Sequence, residues 1–460
     1  MDTEGVRMLE KEIIGEVWTS PEIYDNVGRL CDCGSRFAGT EGARQARDII
    51  RAHFGSHGLQ QVRLATFDFL AWQRGEASLE VVSPKDQRLS SAISLVYSPN
   101  TPPEGLRAEV IDVGMGTRAE YDLKQGELEG RLVMTTTAGP PDTRSVHRRE
   151  KYGRAVAGGA AGFLFANHLP GLLAPTGSLR PGKLAELPAV GLSREDHFVI
   201  QRLLRGPDPV ELHLRLTNHT APAQFSHVVA EVPGRRQDEI VVVGAHYDGH
   251  DISQGAVDDA SGTALVMELA RVFAPLAGRL RRTLRFEAYA AEELGVLGST
   301  VYVNAMDGAD LTRTHFMLNL DGGALRSPRG VALQGLAESR PLFAGFTKDM
   351  GYPLELTNQV GTASDHFPYF LRGIPVASMF ARRPPGTGRG FGHTSADTLD
   401  KVSEVELRES GMVAARLLLR LADHPGPIGR KLSRDEIKQI LLDQELEEPL
   451  RAQDKWPFGS

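Results

Sequence analysis

Residues 239–262 read EIVVVGAHYDGHDISQGAVDDASG, and the rest of the chain can be interpreted from this stretch. The apolar, β-branched run 240–243 is typical of a buried strand in an α/β sheet. The run leads directly to His246 and Asp248, and a glycine-rich loop then leads to Asp258 and a helical pattern. Ligands bind at the carboxyl edge of open α/β sheets. The stretch therefore predicts a metal site at the edge of a sheet.

Acids and histidines recur at the ends of three further predicted strands. They are Glu292 and Glu293 after 283–290, Asp321 after 316–320, and His393 beyond the strand that follows Ile374. A single Asp or His at such a place is usually a turn or hydrogen-bonding residue. Four such sites in order on one sheet favour a functional site instead. Histidine and carboxylate ligands without thiolates suit Zn²⁺ or a similar divalent ion in a hydrolytic site.

The rest of the chain alternates strand and helix patterns, which predicts an α/β fold with a mostly parallel central sheet flanked by helices. Between 105 and 206 the pattern changes to short β-runs and Gly/Pro turns, without a catalytic cluster. We therefore expect an inserted small α/β domain with its own core. The predicted segments are the N-terminal part of the main domain, 1–104, the insert, 105–206, the catalytic part, 207–425, and a C-terminal helix and tail, 426–460.

The amino-acid composition excludes some classes of protein function. The 460 residues, 41% hydrophobic and 24% charged, are typical of a soluble globular protein of two domains. The net charge of −7 is spread along the chain, so we expect no nucleic-acid partner. No apolar run is long enough to span a membrane. Cys31 and Cys33, separated by one residue, are interpreted as ordinary thiols.

The N-terminus lacks the basic start and apolar core of a signal peptide. This predicts a cytoplasmic protein as given, or a secreted one whose leader has been removed. The sequence leaves open whether the protein is a homo-oligomer.

Six short motifs resemble, in order, those of the co-catalytic di-zinc exopeptidases, which include secreted bacterial leucyl aminopeptidases and plasma glutamate carboxypeptidase. The motifs are HYD at 246–248, GAVDDASG at 255–262, AEELG at 291–295, NLD at 319–321, SDH at 364–366, and HT at 393–394 with DT at 397–398. The resemblance covers about 34–423. The insert resembles a protease-associated domain, which often shapes substrate access.

The resemblance implies two Zn²⁺ ions, although other divalent ions are conceivable, and a role for each motif residue. The implied roles are His246 and Asp321 as ligands of one ion, Glu293 and His393 as ligands of the other, Asp258 as the bridging ligand, Glu292 as the general base for a metal-bridging water, and Asp248 as the acid that orients the His246 ring. An additional acid beside a ligating acid can exchange a proton with water and the leaving group.

We interpret the protein as a zinc-dependent exopeptidase that acts on the terminal bond of short peptides, with aminopeptidase activity as the first expectation. The loop before Asp258 is also similar to the plasma glutamate carboxypeptidase branch, so a dipeptidase or carboxypeptidase is the alternative. Two further alternatives are a catalytically silent binding protein on the same fold and a glutaminyl cyclase, which binds one zinc. The complete set of five ligands argues against both.

One departure from the family concerns the residue before His393, which is often aromatic and is Gly392 here. A tyrosine that stabilises the oxyanion is then missing or supplied from elsewhere, for example by Tyr369. The basic residues Arg382 and Arg383 are hypothesised to bind a substrate carboxylate. The residues held back from the predicted site are His250, Asp251, Asp259, His315 and His366, with Asp259 interpreted as a helix N-terminal acid.

Overall fold

A computed structural model describes residues 3–140, 143–322, 329–381 and 390–459. The α-helices are α1 Thr3–Thr19, α2 Glu22–Cys31, α3 Glu41–Ser56, α4 Arg118–Asp122, α5 Arg148–Ala157, α6 Arg194–Leu204, α7 Ser261–Phe273, α8 Leu297–Ala305, α9 Gly308–Arg313, α10 Arg340–Met350, α11 His366–Leu371, α12 Glu404–Asp423, α13 Arg434–Asp443 and α14 Glu447–Ala452. The strands are β1 Gln60–Gln73, β2 Ala77–Ser83, β3 Gln87–Leu89, β4 Ile93–Ser94, β5 Leu106–Asp112, β6 Leu132–Thr136, β7 Gly162–Ala166, β8 Ala189–Leu192, β9 Glu211–Leu216, β10 His219–Val232, β11 Arg236–His246, β12 Arg282–Tyr289, β13 Thr314–Asn319, β14 Arg329–Ala332, β15 Glu355–Thr357 and β16 Val376–Ala381.

The chain divides into two compact units. The first unit consists of Met1–Asp68, Gln224–Arg383 and Asp397–Gln444, and the second of Phe69–Ala223, Pro384–Ala396 and Glu445–Ser460. Within the described residues, no helix is both long enough and apolar enough to cross a membrane.

The sheet of the first unit has the order β1-β10-β12-β11-β13-β16-β14-β15. Its centre consists of four parallel strands, β12, β11, β13 and β16, while β10 and β14 pair antiparallel on either side. Strand β12 and the last eight residues of β11 are buried, as expected for parallel strands covered by helices. The predicted α/β fold with a mostly parallel centre is confirmed.

The second unit has its own sheet, with the order β3-β2-β9-β5-β6-β7-β8-β4. Strands β5, β6, β7 and β8 are parallel to one another, whereas β9 and β4 pair antiparallel at the two ends of this set. Apolar clusters form the core, one around Leu132 and Leu164 and the other around Val133 and Phe163. The sheet extends beyond the predicted insert, 105–206, because β2 and β9 pair antiparallel and bring in strands from both sides of it. The predicted domain boundaries stay a prediction.

Candidate metal centre

The candidate site residues of the first unit follow the ends of its parallel strands. His246 is the last residue of β11, Glu292 comes three residues after β12, and Asp321 two residues after β13. His246 pairs with Tyr289, the last residue of β12, and two residues earlier in β11 Gly244 pairs with Asn319, the last residue of β13. The strand ends are therefore aligned at one edge of the sheet, as the sequence predicted.

The buried guanidinium of Arg36 holds the loop after β11. Its Nε donates to the carbonyl of Tyr247 at 2.9 Å and its Nη2 to that of Gly255 at 2.8 Å, while Nη1 donates to Gln254. Gly255 has φ of 57°, and a Cβ there would lie 2.9 Å from the Asp258 carbonyl oxygen. Sequence reasoning missed Arg36, because a lone arginine in a turn more than 200 residues upstream carries no local signal.

His246 lies in a cluster of carboxylates. Its Nδ1–H donates to the Asp248 carbonyl at 3.0 Å, which leaves the lone pair on Nε2 for a ligand. Nε2 is 3.4 Å from Oδ1 of Asp258. Ligand atoms of His246, Asp259 and Asp321 all lie within 4.8 Å of one another. The structure thus brings together three predicted ligands, His246, Asp258 and Asp321, although their roles stay predictions.

Asp259, which was not included in the predicted site, belongs to the same cluster. Its Oδ1 accepts from the backbone N–H of Gly262 at 2.9 Å, in the first turn of α7, so it is also the helix N-terminal acid that was predicted. It accepts from Gly322 at 3.0 Å as well. A Cβ at Gly262 would lie 2.4 Å from this carboxylate, so glycine is needed there. Burial, reinforced by the charge of Asp321, raises the pKa of Asp259 well above its ordinary value.

Asp248 connects two loops of the site. Its carboxylate accepts from the backbone N–H groups of Glu292 and Glu293, each at 3.1 Å. The same carboxylate is 3.6 Å from Nδ1 of His246, whose hydrogen bond goes to the Asp248 carbonyl instead. Asp248 therefore contacts the His246 ring through its backbone and fixes the Glu292–Glu293 loop through its side chain.

Glu293 faces His250, a second residue that was not included in the predicted site. The Nε2 of His250 is 2.8 Å from Oε2 of Glu293, and both side chains are buried. The His250 ring stacks on Phe37, with the centroids 6.0 Å apart. The sequence showed His250 in a loop near the site, but not that the loop folds back toward Glu293.

The electrostatics of this edge favour a bound cation. Burial raises the pKa of Glu292 well above its ordinary value, and Glu293, Asp365 and Asp321 raise it further. Burial works against a charged His246, but Asp248 and Asp258 outweigh it and raise the pKa of that ring well above 6.5. A divalent cation would relieve this repulsion among buried acids. The histidine and carboxylate donors therefore fit a zinc-like ion.

His393 lies in the second unit and is buried there. Its Nδ1–H donates to the carbonyl of Thr176 at 3.1 Å, and the same carbonyl accepts from Arg148 at 3.0 Å. This bond leaves Nε2 as the ligand atom, the same tautomer as in His246. Its predicted role as a ligand stays a prediction.

Other predicted residues have supporting positions. Asp397 accepts from the N–H groups of Val257 and Asp258, at 2.8 and 3.1 Å, and so fixes the loop that carries the predicted bridging acid. His366 bonds to the carbonyl of Gly361 at 2.9 Å. His315 is at the amino end of β13, away from Asp321.

The structure argues against Tyr369 as a substitute oxyanion donor. It is fully buried, and its hydroxyl donates to Oε2 of Glu287 at 2.5 Å, which also accepts from Tyr289 at 2.6 Å. Arg382 and Arg383 lie outside the described residues.

The fold and the site define a metallo-exopeptidase. Residues 227–418 match the model of Peptidase family M28. It is 27% identical over 410 residues to Carboxypeptidase Q of Rattus norvegicus, covering 87% of this chain and 85% of that protein. It is 28% identical over 323 residues to Leucine aminopeptidase 2 of Trichophyton rubrum, covering 67% of this chain and 61% of the relative.

A crystal structure of a Peptidase M28 precursor from Shewanella amazonensis resembles the whole chain. The TM-score is 0.79 at 26% identity, and the match covers 94% of this chain and 100% of that one. The confirmed expectations are the family, the fold class and the class of enzyme.

Proposed function

We propose that this protein is a zinc-dependent exopeptidase that releases the N-terminal residue of short peptides. The observation that carries the proposal is the cluster of His246, Asp259 and Asp321, whose ligand atoms lie within 4.8 Å at the carboxyl edge of the sheet. Glu292, whose pKa is raised by burial and further by the neighbouring acids, lies on the adjoining loop. A base beside a cation site is the arrangement that hydrolysis of a peptide bond requires.

In this proposal the two adjacent acids have different tasks. Glu293 is directed toward His250, at 2.8 Å, which favours a role as ligand. Glu292 takes a proton from the attacking water and delivers it to the leaving amine. Asp248 keeps both acids in place through their backbone N–H groups. Zinc, when bound, supplies a Lewis acid that polarises the scissile carbonyl.

We further propose that the protein binds two zinc ions, for which Asp258 of the first unit and His393 of the second unit would each supply a ligand atom. The supporting observations are the shared tautomer of His246 and His393 and the 3.4 Å distance between His246 and Asp258. The segment 105–206 is proposed to be a protease-associated domain. Both statements rest on the motif resemblance.

A carboxypeptidase is the second candidate. The observation that favours it is the length of chain over which the similarity extends. The similarity to Carboxypeptidase Q extends over 87% of this chain, whereas that to Leucine aminopeptidase 2 extends over 67%. The loop 250–256 does not favour either candidate, because it contains no Lys or Arg that could pair with a substrate carboxylate.

The test is hydrolysis of three matched dipeptide series by the zinc-loaded protein: free, N-acetylated and C-amidated. Cleavage of the free and amidated series alone would support an aminopeptidase. Cleavage of the free and acetylated series alone would establish the carboxypeptidase and overturn our first choice. Cleavage of the free series alone would indicate a dipeptidase, and cleavage of none would contradict the exopeptidase assignment for these substrates. Loss of each activity in Glu292→Gln would exclude a contaminating peptidase.

A further inference from the structure

A second group of potential metal ligands lies in the helical layer of the first unit. It consists of Glu22, His53 and His57, each of which offers one ligand atom within 4.8 Å of the others. Glu22 is the first residue of α2, whereas His53 is in the last turn of α3 and His57 is its C-cap. Because residues four apart on a helix share a face, the two rings lie together, with centroids 4.4 Å apart.

His53 is held in the tautomer that a metal ligand needs. Its Nε2 is 3.0 Å from the carbonyl oxygen of Met267 in α7, which can only accept, so Nε2 carries the proton. The lone pair is therefore on Nδ1. A neutral imidazole anchored through its other nitrogen to a backbone carbonyl is the usual state of a ligating histidine.

The distance between the other two ligands also suits a metal. Oε2 of Glu22 is 3.4 Å from Nε2 of His57. Two ligands bound tetrahedrally to zinc at about 2.0–2.1 Å lie about 3.4 Å from each other.

We propose that Glu22, His53 and His57 form a site for a single divalent transition-metal ion, separate from the sheet-edge centre. Two imidazoles and one carboxylate select zinc-like ions over calcium and magnesium. The Glu22 and His57 side chains are 43% and 27% exposed, so the fourth position of the ion is open to solvent. Met267 is six residues into α7, about 9 Å along the helix from Ser261. The ion would connect the start of α2 to the end of α3 and, through His53, to α7.

The test is a zinc titration of the metal-free full-length protein, with bound metal counted after gel filtration at micromolar free zinc. Wild type should retain one zinc more per chain than His57→Asn or Glu22→Gln, and its Tm should rise more on adding zinc. His219→Asn, which removes an exposed histidine from β10, is the matched control and should retain the wild-type count. Both test variants alter partly exposed side chains, so they are expected to fold, which circular dichroism would verify.

Cobalt gives an independent measurement, because bound Co²⁺ with histidine ligands absorbs visible light. The His57→Asn protein should lose the part of the cobalt spectrum that belongs to one ion. Equal zinc counts and equal cobalt spectra in wild type and His57→Asn would overturn the proposal. Peptidase activity should be unchanged in both variants, so failure of the proposed function and failure of this site are distinguishable.

Discussion

The buried charges around α5 of the second unit and those at the sheet edge of the first unit are arranged in opposite ways. In the second unit the buried Glu150 is matched by Arg144, at 2.7 and 2.8 Å, and Arg154 also approaches it. The buried ammonium of Lys151 donates to the carbonyls of Thr136 and Ala138 at 2.7 and 2.9 Å. Each charge there has a protein partner of opposite sign or suitable dipole, as a stable interior requires.

At the sheet edge of the first unit, acids face acids. Asp259 and Glu292 are buried beside other carboxylates, and the pKa of each is raised by burial and by those neighbours. Such an arrangement costs stability unless a cation is present. The comparison distinguishes buried charges that stabilise the fold from buried charges that are available to bind a ligand. Each prediction below changes one side of this comparison.

The largest effect is expected for Glu292→Gln, compared with Glu293→Gln as a matched neighbour. Loss of the general base should lower kcat by about 10²–10⁴-fold while leaving the metal content unchanged. Glu293→Gln should instead lower the metal content, because Glu293 is the proposed metal ligand of the two acids and its carboxylate lies beside His250. Steady-state kinetics with metal analysis of both proteins would check this. Loss of metal from Glu292→Gln with retention in Glu293→Gln would reverse the assignment of the two acids.

His250→Gln should weaken zinc binding by about 10–100-fold, as expected when a side chain that contacts a ligand is removed. His213→Gln is the control from the second unit, since His213 is also buried and bonds to the carbonyl of Glu104 at 2.8 Å. Competition with a zinc-binding dye would measure both affinities. If the two substitutions had the same effect, His250 would have no specific link to the metal.

His227 predicts an acid-sensitive step in the stability of the first unit. Its Nδ1 accepts from the backbone N–H of Ala290 at 2.9 Å, and burial lowers its pKa to about 4. The unfolded chain takes up this proton near pH 6.5 but the folded chain only near pH 4, so stability falls as the pH drops between these values. From pH 7 to pH 5 this group should remove about 2 kcal/mol.

Urea unfolding of metal-free protein at both pH values would measure that loss. His227→Asn keeps an acceptor for Ala290 but does not ionise, so its loss of stability should be smaller than that of wild type by about 2 kcal/mol. An identical pH dependence in the two proteins would show that His227 does not control it.

The smallest effect is expected for Arg154→Lys in the second unit. Arg154 forms a two-point contact with Glu448, at 3.0 and 2.7 Å, which lysine cannot reproduce. Because Glu448 is 36% exposed, solvent screens the pair and the cost should be about 0.5–1 kcal/mol. The urea midpoint would report this change, with metal content and activity as controls. A loss of metal on this substitution would contradict the structural role of the pair between Arg154 and Glu448.

Much of the fold was predictable because its strands are short apolar runs between glycine-rich turns. The apolar runs at 162–166 and 189–192 coincide with β7 and β8. The helical pattern over 8–27 is interrupted in the structure, since α1 ends at Thr19 and α2 begins at Glu22. Proline lacks a backbone N–H to continue a helix, and Pro21 separates the two. Strands β14 and β15, with four and three residues, depend on pairing partners that no local pattern reveals.

The site residues that lie in local sequence motifs could be predicted, whereas those that are brought together from distant segments could not. His246, Asp258 and Asp321 each follow a recognisable strand. Arg36 and His250 act on residues that the sequence cannot place beside them. Long-range contacts of this kind depend on the completed fold.

The most direct test of a cation-dependent edge in the first unit is the effect of metal removal on peptide hydrolysis. Protein stripped with a chelator and shown by elemental analysis to be metal-free should hydrolyse free dipeptides at the background rate. Adding zinc should restore the activity in proportion to the metal bound at the sheet edge. Full activity in verified metal-free protein would contradict the account, because the buried acids would then need another explanation.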